Sequence, residues 1–97
     1  MGKTEILRKL NVDKFCKENN LSYLGLFGSY ARNNQSESSD IDLLFEVQDK
    51  EKKTLFDIGK MAYFLQKQMG IDVDFVDKKN IRTMFKSSIM SDLTTLY

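Results

Sequence analysis

Polar and apolar residues alternate strictly over positions 40–47. Ile41, Leu43, Phe45 and Val47 fall on one side, and Asp40, Asp42, Leu44 and Glu46 on the other. A period of two predicts a strand with one face against a core. Residues 71–76 repeat the pattern, with Ile71, Val73 and Phe75 opposite Asp72, Asp74 and Val76. Residues 21–27 are more continuously apolar and read as a buried strand that Gly28-Ser29 ends. Between the second and third strands, Leu55, Ile58, Ala62, Leu65 and Met69 recur at steps of three and four and predict a helix that Gly70 stops. Ile6, Leu7, Leu10 and Phe15 mark a helix over 3–19, with Asn11 placed to divide it. Residues 29–33 suit a short helical turn, 33–39 a polar loop, and Asp49 to Lys53 a charged turn. Ile81, Met84, Phe85 and Ile89 indicate a last helix, and the tail 93–97 is ambiguous.

The order is helix, strand, strand, helix, strand, helix. It predicts an α/β domain of α+β type, a small mixed sheet with helices on one face. The sheet is expected to be mixed because the loop joining the first two strands is too short for a parallel crossover helix. Residues 1–97 are read as a single domain.

Composition narrows the chemistry. The chain has 97 residues, 41% hydrophobic and 30% charged, with a net charge of +1. That balance suits a globular domain and argues against a broad nucleic-acid surface or a polybasic membrane anchor. The single cysteine, Cys16, reads as a small buried hydrophobe. One cysteine, no signal-like run and no apolar stretch of membrane-spanning length lead to the expectation of a cytoplasmic protein. Histidine is absent. Catalysis therefore has to rest on carboxylates, hydroxyls, lysines and arginines.

Asp40 and Asp42 leave the same face of their strand, with Cα atoms roughly 6.5–7 Å apart at a rise of about 3.3 Å per residue. Asp72 and Asp74 repeat the arrangement on the later strand. If those strands are neighbours, carboxylates gather on one face, a charge density that suits Mg²⁺ or Mn²⁺. Upstream, Gly28-Ser29 follows a buried strand and opens a turn, where close backbone approach and N–H groups favour phosphate. Arg32 lies one turn further on, within reach of the same anion or of a surface carboxylate. Tyr30 is placed either to pack or to contact a base. Ser39 suits the turn into the second strand. Asp72, Glu46 and the Lys78-Lys79 pair read as solvated bystanders.

Phe27-Gly28-Ser29-Tyr30-Ala31-Arg32, then Ser39-Asp40-Ile41-Asp42-Leu43-Leu44, resembles the signature of the minimal nucleotidyltransferases of the DNA polymerase beta-like superfamily. Ten residues separate Ser29 from Asp40, as in that pattern. Val73-Asp74-Phe75-Val76 resembles the strand that carries the family's third carboxylate. Leu96-Tyr97 resembles its terminus, with Asp92 where an acidic residue is common. The resemblance spans residues 6–97. Asn33 departs from it, because the family usually has glycine after the arginine.

The resemblance implies the nucleotidyltransferase fold. It implies that Asp40, Asp42 and Asp74 are catalytic and bind Mg²⁺ or Mn²⁺, and that Gly28 and Ser29 hold the phosphates of ATP, with Arg32 added on position. It further implies an antitoxin that adenylylates a tyrosine of a partner HEPN-domain ribonuclease toxin and forms a hetero-oligomer with it. So short a chain is expected to rely on its partner to present the acceptor. Two other readings stand beside this one: an antitoxin that only masks its toxin, and a subunit of a small-molecule nucleotidyltransferase.

Overall fold

The computed structural model describes residues 3–36, 38–48, 52–81 and 83–97, leaving aside the side chains of Lys3, Thr83, Met84 and Phe85. The apolar face read at Met84 and Phe85, which concerns their side chains, and most of the charged turn 49–53 therefore lie outside what is described. The N-terminal helix is divided where asparagine suggested, into α1 (Lys3–Lys9) and α2 (Val12–Glu18). Asn11 caps α2, its side-chain oxygen accepting from the Lys14 backbone N–H at 3.2 Å. Strand β1 (Leu21–Phe27) runs directly into a one-turn helix α3 (Gly28–Ala31), and β2 covers Ile41–Val47.

Helix α4 (Leu55–Met69) is delimited by local chemistry at both ends. Thr54 and Asp57 form a reciprocal capping box, and Gly70 closes the helix at φ 75°. Those Thr54 hydrogen bonds also hold the Asp57 carboxyl below the usual carboxylate range. Strand β3 (Val73–Asp77), α5 (Thr83–Asp92) and a two-residue β4 (Thr94–Thr95) complete the chain.

The sheet order is β3-β2-β1-β4. β2 is antiparallel to β1, β1 is antiparallel to β4, and β2 is parallel to β3, so the sheet is mixed as expected. The parallel pair is joined through α4, the crossover such a pair needs. The ambiguous tail proves to be an edge strand. Its backbone continues onto β1, with the Leu96 and Tyr97 N–H groups donating to the Leu24 carbonyl at 2.8 and 3.0 Å.

Residues opposed in the register share a face. Leu24 opposes Phe45 and Leu26 opposes Leu43, and these meet Ile6, Leu10, Phe15, Met61, Leu65 and Met69 in one buried core. Helices α1, α2 and α4 thus cover this face. Phe45 and Phe75 stack at its centre, ring centroids 4.1 Å apart. Cys16 is wholly buried here, and burial together with the charge of Asp13 pushes its thiol up to about 12. Leu7 and Leu55, read above as apolar helix positions, instead face solvent. The inward stripes run through Ile6 in α1 and Leu10 just after it, and through Ile58, Met61, Leu65 and Met69 in α4.

The opposite face carries Phe27, Asp42 and Asp74 towards one end and Gly25 and Leu44 further along. Gly25 is filled over by its neighbours: a Cβ there would stand 2.7 Å from Leu93 Cδ1 and 2.6 Å from the Tyr23 hydroxyl. Leu44 is fully buried on this face, although it alternates with acidic residues. Among the described residues no helix is long and apolar enough to cross a membrane.

Candidate active site

The parallel register sets Asp42 directly beside Asp74, and the antiparallel register sets it opposite Phe27, the residue before the glycine turn. One carboxylate on the central strand therefore has a second carboxylate on one side and the end of β1 on the other. Asp40 lies one residue ahead of β2, exposed at the same end. The strand edge is held there by the Ile41 N–H donating to the Asp72 carbonyl at 3.0 Å.

Gly28 makes the close fit possible. Its φ is 76°, and a Cβ built on it would stand 2.1 Å from Asp42 Oδ2 and 3.0 Å from its Cγ. The Asp42 carboxylate fills the space that a side chain at position 28 would need. Both the backbone conformation and the packing thus require glycine. The turn continues through Ser29, half-buried, to Tyr30, which lies in the core and so packs. Helix α3 opens at this turn, and the first N–H groups of a helix have no partner within it.

Asp42 bears the electrostatic cost of this arrangement. Burial, then the neighbouring charges of Asp74 and Asp40, raise its carboxyl to about 6, against a smaller opposing effect from Arg32. Bringing a cation to these oxygens would relieve that cost. The donors are all carboxylate oxygens, a set suited to a hard divalent ion. Among the described residues no three such side chains already form a ready metal-binding group.

Arg32 caps the C-terminal end of α3. Its Nη1 donates to Asp92 Oδ2 at the end of α5, and its charge is also felt at Asp42. The structure therefore brings Arg32 to the site but gives it a partner 60 residues away. That pairing had no local signal in the sequence.

Asn33, the departure from the expected glycine, has φ 59°. Asparagine is one of the few side-chain-bearing residues that adopt this left-handed conformation readily, so the turn keeps a glycine-like path. Asn33→Gly should change stability by less than about 1 kcal/mol, while Asn33→Val should cost about 1–2 kcal/mol in urea unfolding. Equal stability of the two variants would show that the turn does not depend on this conformation.

Ser39 Oγ accepts from the Ser36 N–H at 2.9 Å and shapes the entry to β2, as expected. Lys78 is not merely solvated: its Nζ lies 3.1 Å from Glu46 across the sheet end, because the parallel pairing brings the end of β3 alongside β2.

The site is thus a carboxylate pair on adjacent strands, closed against a glycine-serine turn. A family model for the nucleotidyltransferase domain matches residues 9–95, and the chain belongs to that family. A Methanocaldococcus jannaschii protein provisionally named a protein adenylyltransferase is 37% identical over 93 residues, covering 92% of this chain and 89% of its own length. A solved structure provisionally described as a minimal nucleotidyltransferase superposes with a TM-score of 0.80 at 26% identity, covering 99% of this chain and 97% of that one. A solved complex of tri-AMPylated Shewanella oneidensis HEPN toxin with MNT antitoxin shares the fold, with a TM-score of 0.71 at 22% identity, covering 96% of this chain and 71% of that chain.

Proposed function

We propose that this nucleotidyltransferase moves AMP from ATP onto a tyrosine hydroxyl of a partner HEPN toxin and so acts as its antitoxin. The observation that carries the transfer chemistry is Asp42, held beside Asp74 and closed against Gly28. The protein acceptor is supported by the name of the M. jannaschii relative. The toxin partner is supported by the shared fold of the AMPylated HEPN complex.

In this reading Gly28 and Ser29 seat the triphosphate, the glycine by letting the backbone approach and the serine through its hydroxyl. Asp40, Asp42 and Asp74 would hold Mg²⁺ or Mn²⁺. When bound, such an ion would neutralise charge on the triphosphate and favour loss of the attacking hydroxyl's proton. The tyrosine oxygen attacks the α-phosphorus, an O–P bond forms, the bond to the β-phosphate oxygen breaks, and pyrophosphate leaves. Asp74, on the edge strand beside Asp42, would take the hydroxyl proton. A phenol with a pKa of about 10 gives up that proton more readily than a serine would. Holding the tyrosine at attack distance is the task of the protein interface.

The test uses ATP labelled in turn at the α- and γ-phosphates, with the chain and its partner. Label from the α position should remain on a partner tyrosine, and label from the γ position should leave with pyrophosphate. Retention of the γ label would mean phosphoryl transfer and overturn the proposal.

A further inference from the structure

The last residues of the chain are fastened along the strand that delivers the glycine turn. Thr94 and Thr95 pair with Leu26 and Gly25. The Thr95 and Tyr23 hydroxyls are 3.0 Å apart. The Leu24 N–H donates to the Tyr97 carbonyl at 3.2 Å, while the Leu24 carbonyl accepts from Leu96 and Tyr97. Leu93 lies over Gly25. Asp92, one residue earlier, is thus held at a set position relative to Gly28, and it is there that its carboxylate accepts from Arg32.

We propose that Asp92 is a positioning residue for Arg32, turning the guanidinium towards the triphosphate and keeping it off Asp42; this rests on the adenylyl-transfer reading of the site. A guanidinium has five donors in a fixed fork. Nη1 is committed to Asp92, which leaves the other N–H groups to meet phosphate oxygens. The Arg32 side chain is 48% exposed and that of Asp92 19%, so the anchor is the more buried partner and the arginine remains reachable. An ion pair this exposed contributes little to stability. Its larger effect is on direction. Without Asp92, Arg32 is left with the attraction of Asp42, which already senses its charge. A guanidinium drawn onto Asp42 would occupy oxygens that the reading reserves for a cation.

Asp92→Asn, nearly isosteric, is compared with Asp92→Glu and with the exchanged pair Arg32→Asp/Asp92→Arg. Melting temperature is measured without nucleotide, ATP affinity by calorimetry with Mg²⁺ present, and KM and kcat with the partner as acceptor. Asp92→Asn should weaken ATP binding about tenfold, the scale of one charge-assisted contact. It should raise KM for ATP more than it lowers kcat, and Asp92→Glu should recover part of the loss. The exchanged pair should melt within about 2 °C of wild type, yet bind ATP no better than Asp92→Asn. Unchanged ATP affinity in Asp92→Asn, or affinity restored by the exchanged pair, would show a merely structural ion pair and overturn the proposal. A wild type that binds ATP but transfers nothing would sink the adenylyl-transfer reading, while the affinity series would still decide the role of Asp92. A wild type that binds no ATP would overturn both.

Discussion

Gly28→Val should abolish ATP binding and lower stability by about 2–5 kcal/mol. Two costs combine. A side chain at φ 76° carries about 1–2 kcal/mol of backbone strain. Its Cβ would also stand 2.1 Å from Asp42 Oδ2, so the carboxylate must leave its place, an overpacking cost of about 1–3 kcal/mol. Gly28→Ala carries the same first carbon and should lose most of the same binding. Ser29→Ala removes only a hydroxyl, and should weaken ATP binding about five- to tenfold, the scale of one hydrogen bond. Urea unfolding and calorimetry on the three variants check this order. A folded Gly28→Val chain with normal ATP affinity would remove the glycine turn from the site.

Asp42→Asn should separate stability from function. The folded carboxyl titrates near 6, above the 3.8 expected when unfolded. The folded state therefore binds this proton more tightly, and its relative stability is lost as pH rises from about 4 to about 6. Below about pH 4 the group is protonated in both states, and asparagine gains nothing. Above about pH 6 the charge is present in both states and costs only the folded one. The variant should then be more stable by about 1–2 kcal/mol, a figure discounted for solvent screening. Transfer of AMP should fall at least about a hundredfold in the same variant, as when a key electrostatic group is removed. Melting curves from pH 3.5 to 8 check the first part. A variant less stable than wild type at pH 8 would show that Asp42 is a structural residue held by favourable partners.

Much of this was legible in the chain because the signals were local. The alternation over 40–47 set the faces of β2, and the repeats of three and four set α4, because side-chain direction follows backbone period. Asn11 and Gly70 marked helix ends through capping that involves only neighbours in sequence. The pairing of β2 with β3 was a condition, not a reading, and the register that sets Asp42 beside Asp74 came only with the fold. Edge strand β4 was not legible. Two threonines carry no period, and their pairing depends on β1, some 70 residues earlier. Leu44 looked like a member of an acidic face, because alternation tells which side a residue takes but not what covers that side. The Arg32–Asp92 pair had the same limitation, since it depends on how distant segments meet.

The most direct measurement is the intact mass of the cognate partner after incubation with this chain, ATP and Mg²⁺, beside the same reaction with Asp74→Asn. The expected result is growth of the partner by one or more AMP masses on tyrosine with the wild-type chain, accompanied by loss of its ribonuclease activity, and neither change with Asp74→Asn. A partner silenced with no change of mass would contradict the transfer of AMP and leave masking by binding as the function.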